Sequence, residues 1–147
     1  MRDYTVAMKR EALEERLRDA FSRHAGGITA AYLFGSHAAG REHRESDIDV
    51  GVILDRVSFS TSEARFEERL RLLARLPQAL SGAEVDVVIL NDSPPGLGRR
   101  IVLEGRRVFC SDAEGDHAFR RDVQLRAADL EPFLRRARQI KLATLSR

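Results

Sequence analysis

The chain has 147 residues, 43% of them hydrophobic and 33% charged, with a net charge of +2. That is one domain's length, with enough apolar material to fold around a core without staples. Its single cysteine, Cys110, excludes an internal disulfide and fits a reducing compartment. No apolar run approaches the ~18 residues of a membrane span. Residues 1–10 lack the apolar stretch of a secretory signal, so a cytoplasmic protein with no membrane partner is expected. Charge is uneven: residues 99–147 carry 12 Lys or Arg against 7 Asp or Glu, and the residues before them 13 against 16. A basic tail suits a nucleotide, an RNA or an acidic partner, and a solvated helix rich in ion pairs is the plainer account of it.

In chain order, residues 8–24 read as an amphipathic helix with Leu13, Leu17, Ala20 and Phe21 on one face, ended by Gly26-Gly27. Residues 28–34, short and apolar between glycines, predict a buried strand. A second strand is predicted over 47–54. Ser60 and Glu63 have capping-box spacing for a helix whose stripe is Phe66, Leu70, Leu73 and Leu80, disturbed at Pro77. A Val- and Ile-rich strand follows over 84–90. The turn Asn91-Asp92-Ser93-Pro94 then leads into a helix with Leu97 and Ile101 on its core side, stopped by Gly105. Residues 107–110 suit a short edge strand. From Asp116 a helical stripe runs through Phe119, Val123, Ala127, Leu130, Leu134 and Ala137, and Asp129 and Pro132 predict a break into two helices. The order α-β-β-α-β-α-β-α implies one α/β or α+β domain, with a core over 1–111 and a helical tail over 112–147. That tail either docks a partner or packs on its own sheet.

Gly35-Ser36 follows a buried strand. Gly35 allows a tight turn and close approach to a ligand, and Ser36 with the following N–H groups through Ala39 can cradle phosphate. Such a pair taken alone is usually a turn. More informative are Asp47 and Asp49, because aspartate is depleted in strands. Period two puts both carboxylates on one face, about 6.6 Å apart, where they repel by ~2–3 kcal/mol at an effective dielectric of 20. A hard divalent cation reverses that sign, and magnesium prefers carboxylate oxygens plus substrate phosphates. Two solvated aspartates at a strand end are the plainer alternative. Asp86 interrupts an apolar strand, where a carboxylate must be paired, by an arginine for instance, or face a polar cleft. Glu84 shares its face.

Gly35-Ser36, ten intervening residues, Asp47-x-Asp49 and a later strand acid together resemble the polymerase β nucleotidyltransferase superfamily. The short chain looks like its minimal nucleotidyltransferases, the MNT group. Leu103-Glu104-Gly105-Arg106-Arg107-Val108-Phe109 and the helical tail also resemble the MntA-type adenylyltransferase antitoxins encoded beside HEPN ribonuclease toxins. The resemblance implies a small mixed sheet flanked by helices, with a helical C-terminal extension. It implies catalytic roles for Asp47, Asp49 and Asp86, which would also ligate two Mg2+ ions, and nucleotide binding at Gly35 and Ser36. ATP would be the substrate, and AMP would pass to a hydroxyl, a tyrosine's, of a HEPN toxin partner. An antitoxin acting by binding alone, or a nucleotidyltransferase of a small molecule such as an antibiotic, are the alternatives. Nucleic acid is not expected as a direct ligand, since no RNA-binding motif is present. The segment departs from relatives that carry a basic residue after Gly-Ser, having His37-Ala38-Ala39 instead. Positive charge for the phosphates would then come from Arg41, Arg44 or an arginine of the tail.

Overall fold

The computed structural model describes residues 2–24, 26–36, 38 and 47–146, with side chains from residue 9 onward. His37, Ala39, Arg41, His43 and Arg44 lie outside the described residues. The elements follow the predicted order: α1 (Arg2–Arg23), β1 (Ile28–Phe34), β2 (Ile48–Leu54), α2 (Ser62–Ala79), β3 (Val85–Ile89), α3 (Pro95–Glu104), β4 (Arg106–Cys110) and α4 (Ala113–Leu145). A single 3-10 turn, Leu90–Asp92, joins β3 to α3. The strands form one mixed sheet in the order β3-β2-β1-β4. β1 lies antiparallel to both β2 and β4, whereas β2 and β3, joined through α2, are parallel.

Both faces of this sheet are covered, so its strands are apolar almost throughout rather than alternating. On one face Val50, Val52, Val87 and Ile89 pack with Leu17 and Phe21 of α1 and with Leu72 and Leu76 of α2. On the other, Ala30, Tyr32 and Ile53 pack with Ile101 and Val102 of α3 and Val123 of α4. α2 begins one residue later than expected, with Thr61 rather than Ser60 as its cap, accepting a hydrogen bond from the Ala64 N–H at 3.1 Å. Its buried face also differs from the predicted stripe. Leu72, Leu76 and Glu68 are buried, while Phe66 and Leu70 are 55% and 49% exposed. Glu68 tolerates burial because His24 hydrogen-bonds one carboxylate oxygen and Arg71 the other, the latter at 2.8 Å. Burial pushes this carboxyl up, but those two partners outweigh it and hold it below the usual range. Pro77 sits in the last turn, and the helix closes only two residues later.

The tail is one helix of 33 residues, not two. Asp112 caps it by accepting from the Gly115 N–H at 3.0 Å, and the chain runs through Pro132 without a break. Its first half is fastened to the sheet. Asp116, 1% exposed, accepts hydrogen bonds from the Tyr32 hydroxyl and, at 2.8 Å, from Arg107 of β4. Arg120 donates to the same Tyr32 oxygen at 3.1 Å. Beyond Ala127 every described side chain of α4 is exposed. The expected stripe is therefore divided: Phe119 and Val123 join the core, whereas Leu130 and Leu134 are 41% and 47% exposed.

Candidate functional site

The site lies where α3 stops covering the sheet. Along β2 the residues facing α3 are Ile53, Gly51 and Asp49 in turn, because side chains alternate between faces. A Cβ on Gly51 would sit 3.0 Å from the Ile101 methyl, so the missing side chain lets α3 lie directly on the strand. One step further, Asp49 is half-buried, and two residues beyond it Asp47, just before β2, is exposed. The two carboxylates therefore run from the covered end of the sheet into solvent on one face, as the alternation requires.

Register brings the rest together. Asp49 is paired with Phe34 of β1 on one side and with Asp86 of β3 on the other. Neighbouring strands lie about 4.8 Å apart, so Phe34, Asp49 and Asp86 form a row across three strands. Gly35 directly follows Phe34 and has φ +75°, a conformation that L side chains rarely adopt. A Cβ there would fall 2.4 Å from Asp49 Oδ2, so only glycine lets the turn pass this close to the carboxylate. Ser36, half-buried, comes next in the same turn. Of the residues singled out from sequence, Gly35, Asp49 and Asp86 are thus brought side by side, and Asp47 and Glu84 flank them at the entrances to β2 and β3.

Asp86 is engaged by an arginine. Arg69 of α2 reaches around the outer edge of β3, donates to the Val87 carbonyl at 2.7 Å and places its guanidinium 3.5 Å from Asp86 Oδ1. At that distance, and with the carboxylate side chain 54% exposed, the contact is a surface ion pair worth at most about 1 kcal/mol. It is cheap to break. Among the described residues no three acids, histidines or cysteines are gathered closely enough to enclose a metal ion. Asp47 and Asp49 still suit a hard cation that takes one or two carboxylates and completes its shell with phosphate oxygens and water.

Two concavities flank the row, sharing Leu97. A small pocket beside Gly35 is lined by Phe34, Ala38, Arg100 and Glu104. A longer groove beside Asp86 runs between α2 and the start of α3. Sequence reasoning missed Arg69, Arg100 and Phe66, all of which line one or the other. Arg69 and Arg100 were two among many arginines, and Phe66 fitted a core stripe.

A mixed sheet with a Gly-Ser turn closing one strand and aspartates on the next two defines the nucleotidyltransferase class of fold. Residues 15–114 match the family described as polymerase beta, nucleotidyltransferase, which is most of the chain. The chain belongs to that family. It is 35% identical over 82 residues to protein adenylyltransferase MntA of Shewanella oneidensis, a match covering 53% of this chain and 51% of that protein. The match thus spans about half the length of this curated relative. Among solved structures, it resembles a chain of a toxin-antitoxin complex with AMP-PNP, with TM-score 0.65 and 24% identity over 91% of this chain and 98% of that one. It also resembles a chain from the tri-AMPylated S. oneidensis HEPN toxin in complex with MNT antitoxin. There the TM-score is 0.56 and the identity 21%, over 97% of this chain and 99% of that one. Both likenesses establish the fold. No helix is long and apolar enough to cross a membrane among the described residues.

Proposed function

We propose that this protein is a magnesium-dependent adenylyltransferase that moves AMP from ATP to a tyrosine hydroxyl of a HEPN ribonuclease toxin, neutralising it as an antitoxin. The observation that carries the proposal is the row of Phe34, Asp49 and Asp86 across adjacent strands, with the Gly35 turn packed against the central carboxylate. The similarity to MntA, and to chains of complexes described as holding AMP-PNP or an AMPylated HEPN toxin, supports the choice of nucleotide and acceptor.

In this reading Gly35 and Ser36 present backbone and hydroxyl donors to the triphosphate, and Arg100, which lines the pocket beside Gly35 and pairs there with Glu104 at 3.3 Å, turns from that surface pair to the phosphates. Asp47 and Asp49 hold Mg2+, with Asp86 completing the set once it leaves Arg69. Two such ions are expected, and what they supply is neutralisation of phosphate charge and a lowered pKa for an oxygen held near them. That help is needed because a carboxylate near pKa 4 is a poor base for a phenol near pKa 10. Asp86 receives the acceptor proton. Residues 1–111 form the catalytic unit, and the exposed half of α4 offers the partner a surface.

The deciding experiment incubates wild type and the Asp47→Asn/Asp49→Asn double variant with the toxin, Mg2+ and labelled ATP, and scores label transfer and co-purification separately. Wild type should label the toxin. The double variant should lose at least ~100-fold of the transfer, as removal of groups acting in the transition state does, yet still co-purify. If the double variant neutralises toxin as well as wild type at matched concentration, the protein acts by contact and the catalytic reading is wrong.

A further inference from the structure

The groove beside Asp86 has a volume of about 670 Å3 and lies on the opposite side of Asp49 from the Gly35 turn. An in-line displacement needs its entering and leaving oxygens on opposite sides of phosphorus. With the triphosphate held at Gly35, the entering oxygen approaches from the Asp86 side. The walls there are unusual. Phe66 of α2 and Leu97 of α3 both line the groove and are 55% and 38% exposed, although neighbouring apolar residues of the same helices, Leu72 and Ile101, are buried. Two apolar side chains facing a concavity beside a carboxylate suit an aromatic ring that ends in a polar atom. Charge narrows the choice further. Glu63 is the lining acid with no ion pair among the described residues, and Arg69, once Asp86 leaves it, balances that charge, so the groove suits a neutral side chain.

We infer that this groove seats the acceptor: a segment of the partner protein that places a phenolic side chain between Phe66 and Leu97, hydroxyl toward Asp86. The inference rests on the proposed AMP transfer to a protein hydroxyl. In the step, the phenolic oxygen forms a bond to the α-phosphorus and the bond from that phosphorus to pyrophosphate breaks. The phenolic proton passes to Asp86.

Phe66→Ala tests it, since an exposed residue can be truncated without unfolding the chain. Initial rates of label transfer are measured against toxin concentration at saturating ATP, and against ATP concentration at saturating toxin. Truncating an aromatic anchor should raise the KM for toxin roughly ten-fold. The KM for ATP and the melting temperature with ATP and Mg2+ should be unchanged, and Phe66→Leu should recover most of the affinity. An unchanged KM for toxin in Phe66→Ala, with wild type active, overturns the groove assignment and leaves the proposed function standing. A raised KM for ATP alone overturns it in favour of a nucleotide subsite. Absence of transfer by wild type removes both.

Discussion

Gly35 carries two constraints at once, and they make different demands on a substitution. Its positive φ costs any L-residue about 1–2 kcal/mol, and its Cα approaches so closely that a methyl group must displace Asp49. Gly35→Ala should therefore lower the urea midpoint modestly but abolish the rise in melting temperature produced by ATP with Mg2+. A variant that keeps the full rise would show that this turn does not hold the nucleotide. Tyr32 makes a second prediction at this scale. Burial first, then its hydrogen bond to Asp116, push its phenol up to about 12, with Arg120 opposing. The folded state thus keeps a proton that the unfolded chain loses near pH 10. Its contribution to stability is complete below pH 10 and disappears as pH rises toward 12. Tyr32→Phe should flatten the stability profile in that window, as measured by denaturant titration at a series of pH values.

At the scale of elements, the order of strands and helices and the acids of the candidate site were legible because each is a local signal. β1 is an apolar run between glycines, and Asp47, Asp49 and Asp86 are residues that a strand does not normally carry. What went unread depends on partners distant in sequence. The burial of Glu68 requires His24, 44 positions away, so periodicity chose Phe66 and Leu70 for the core instead. The joining of Asp86 to Asp49 needs the parallel register of β2 and β3, which no residue announces. In α4, Asp129 and Pro132 look like a stop and a start, yet the helix continues. The reason is exposure: at an exposed position, the carbonyl that Pro132 leaves without its i+4 donor can turn to water.

For the whole molecule, α4 divides the chain into a part that packs and a part that does not. Thirty-three residues of helix extend about 50 Å, more than a domain of this size can cover. Beyond Ala127 the helix presents Leu130, Phe133, Leu134 and Ile140, with Phe133 69% and Ile140 61% exposed. Arg135, Arg136, Arg138 and Lys141 share this stretch with them. An isolated helix of such length is marginal in water, and exposed apolar side chains at helical spacing suit a docking surface for the proposed partner. Deleting residues 129–147 removes no buried side chain among the described residues, so the melting temperature and the ATP response should stay within a few degrees of the full chain. Co-purification with the toxin should be lost. Retained binding after the deletion would move the docking surface elsewhere on the domain.

The unpacked half of α4 would also set a lifetime. A segment that opens without disturbing the core is the first place a protease can enter, and here that segment is the one assigned to the partner. If the partner docks there as proposed, bound chains would be shielded and free chains exposed to cleavage, and any excess over the partner would be removed faster than the complex. In a toxin-antitoxin pair, the amount of antitoxin held in reserve would then follow the amount of toxin present, with no dedicated sensor. Supply would have to be continuous, and when synthesis stopped the free pool would vanish before the bound one.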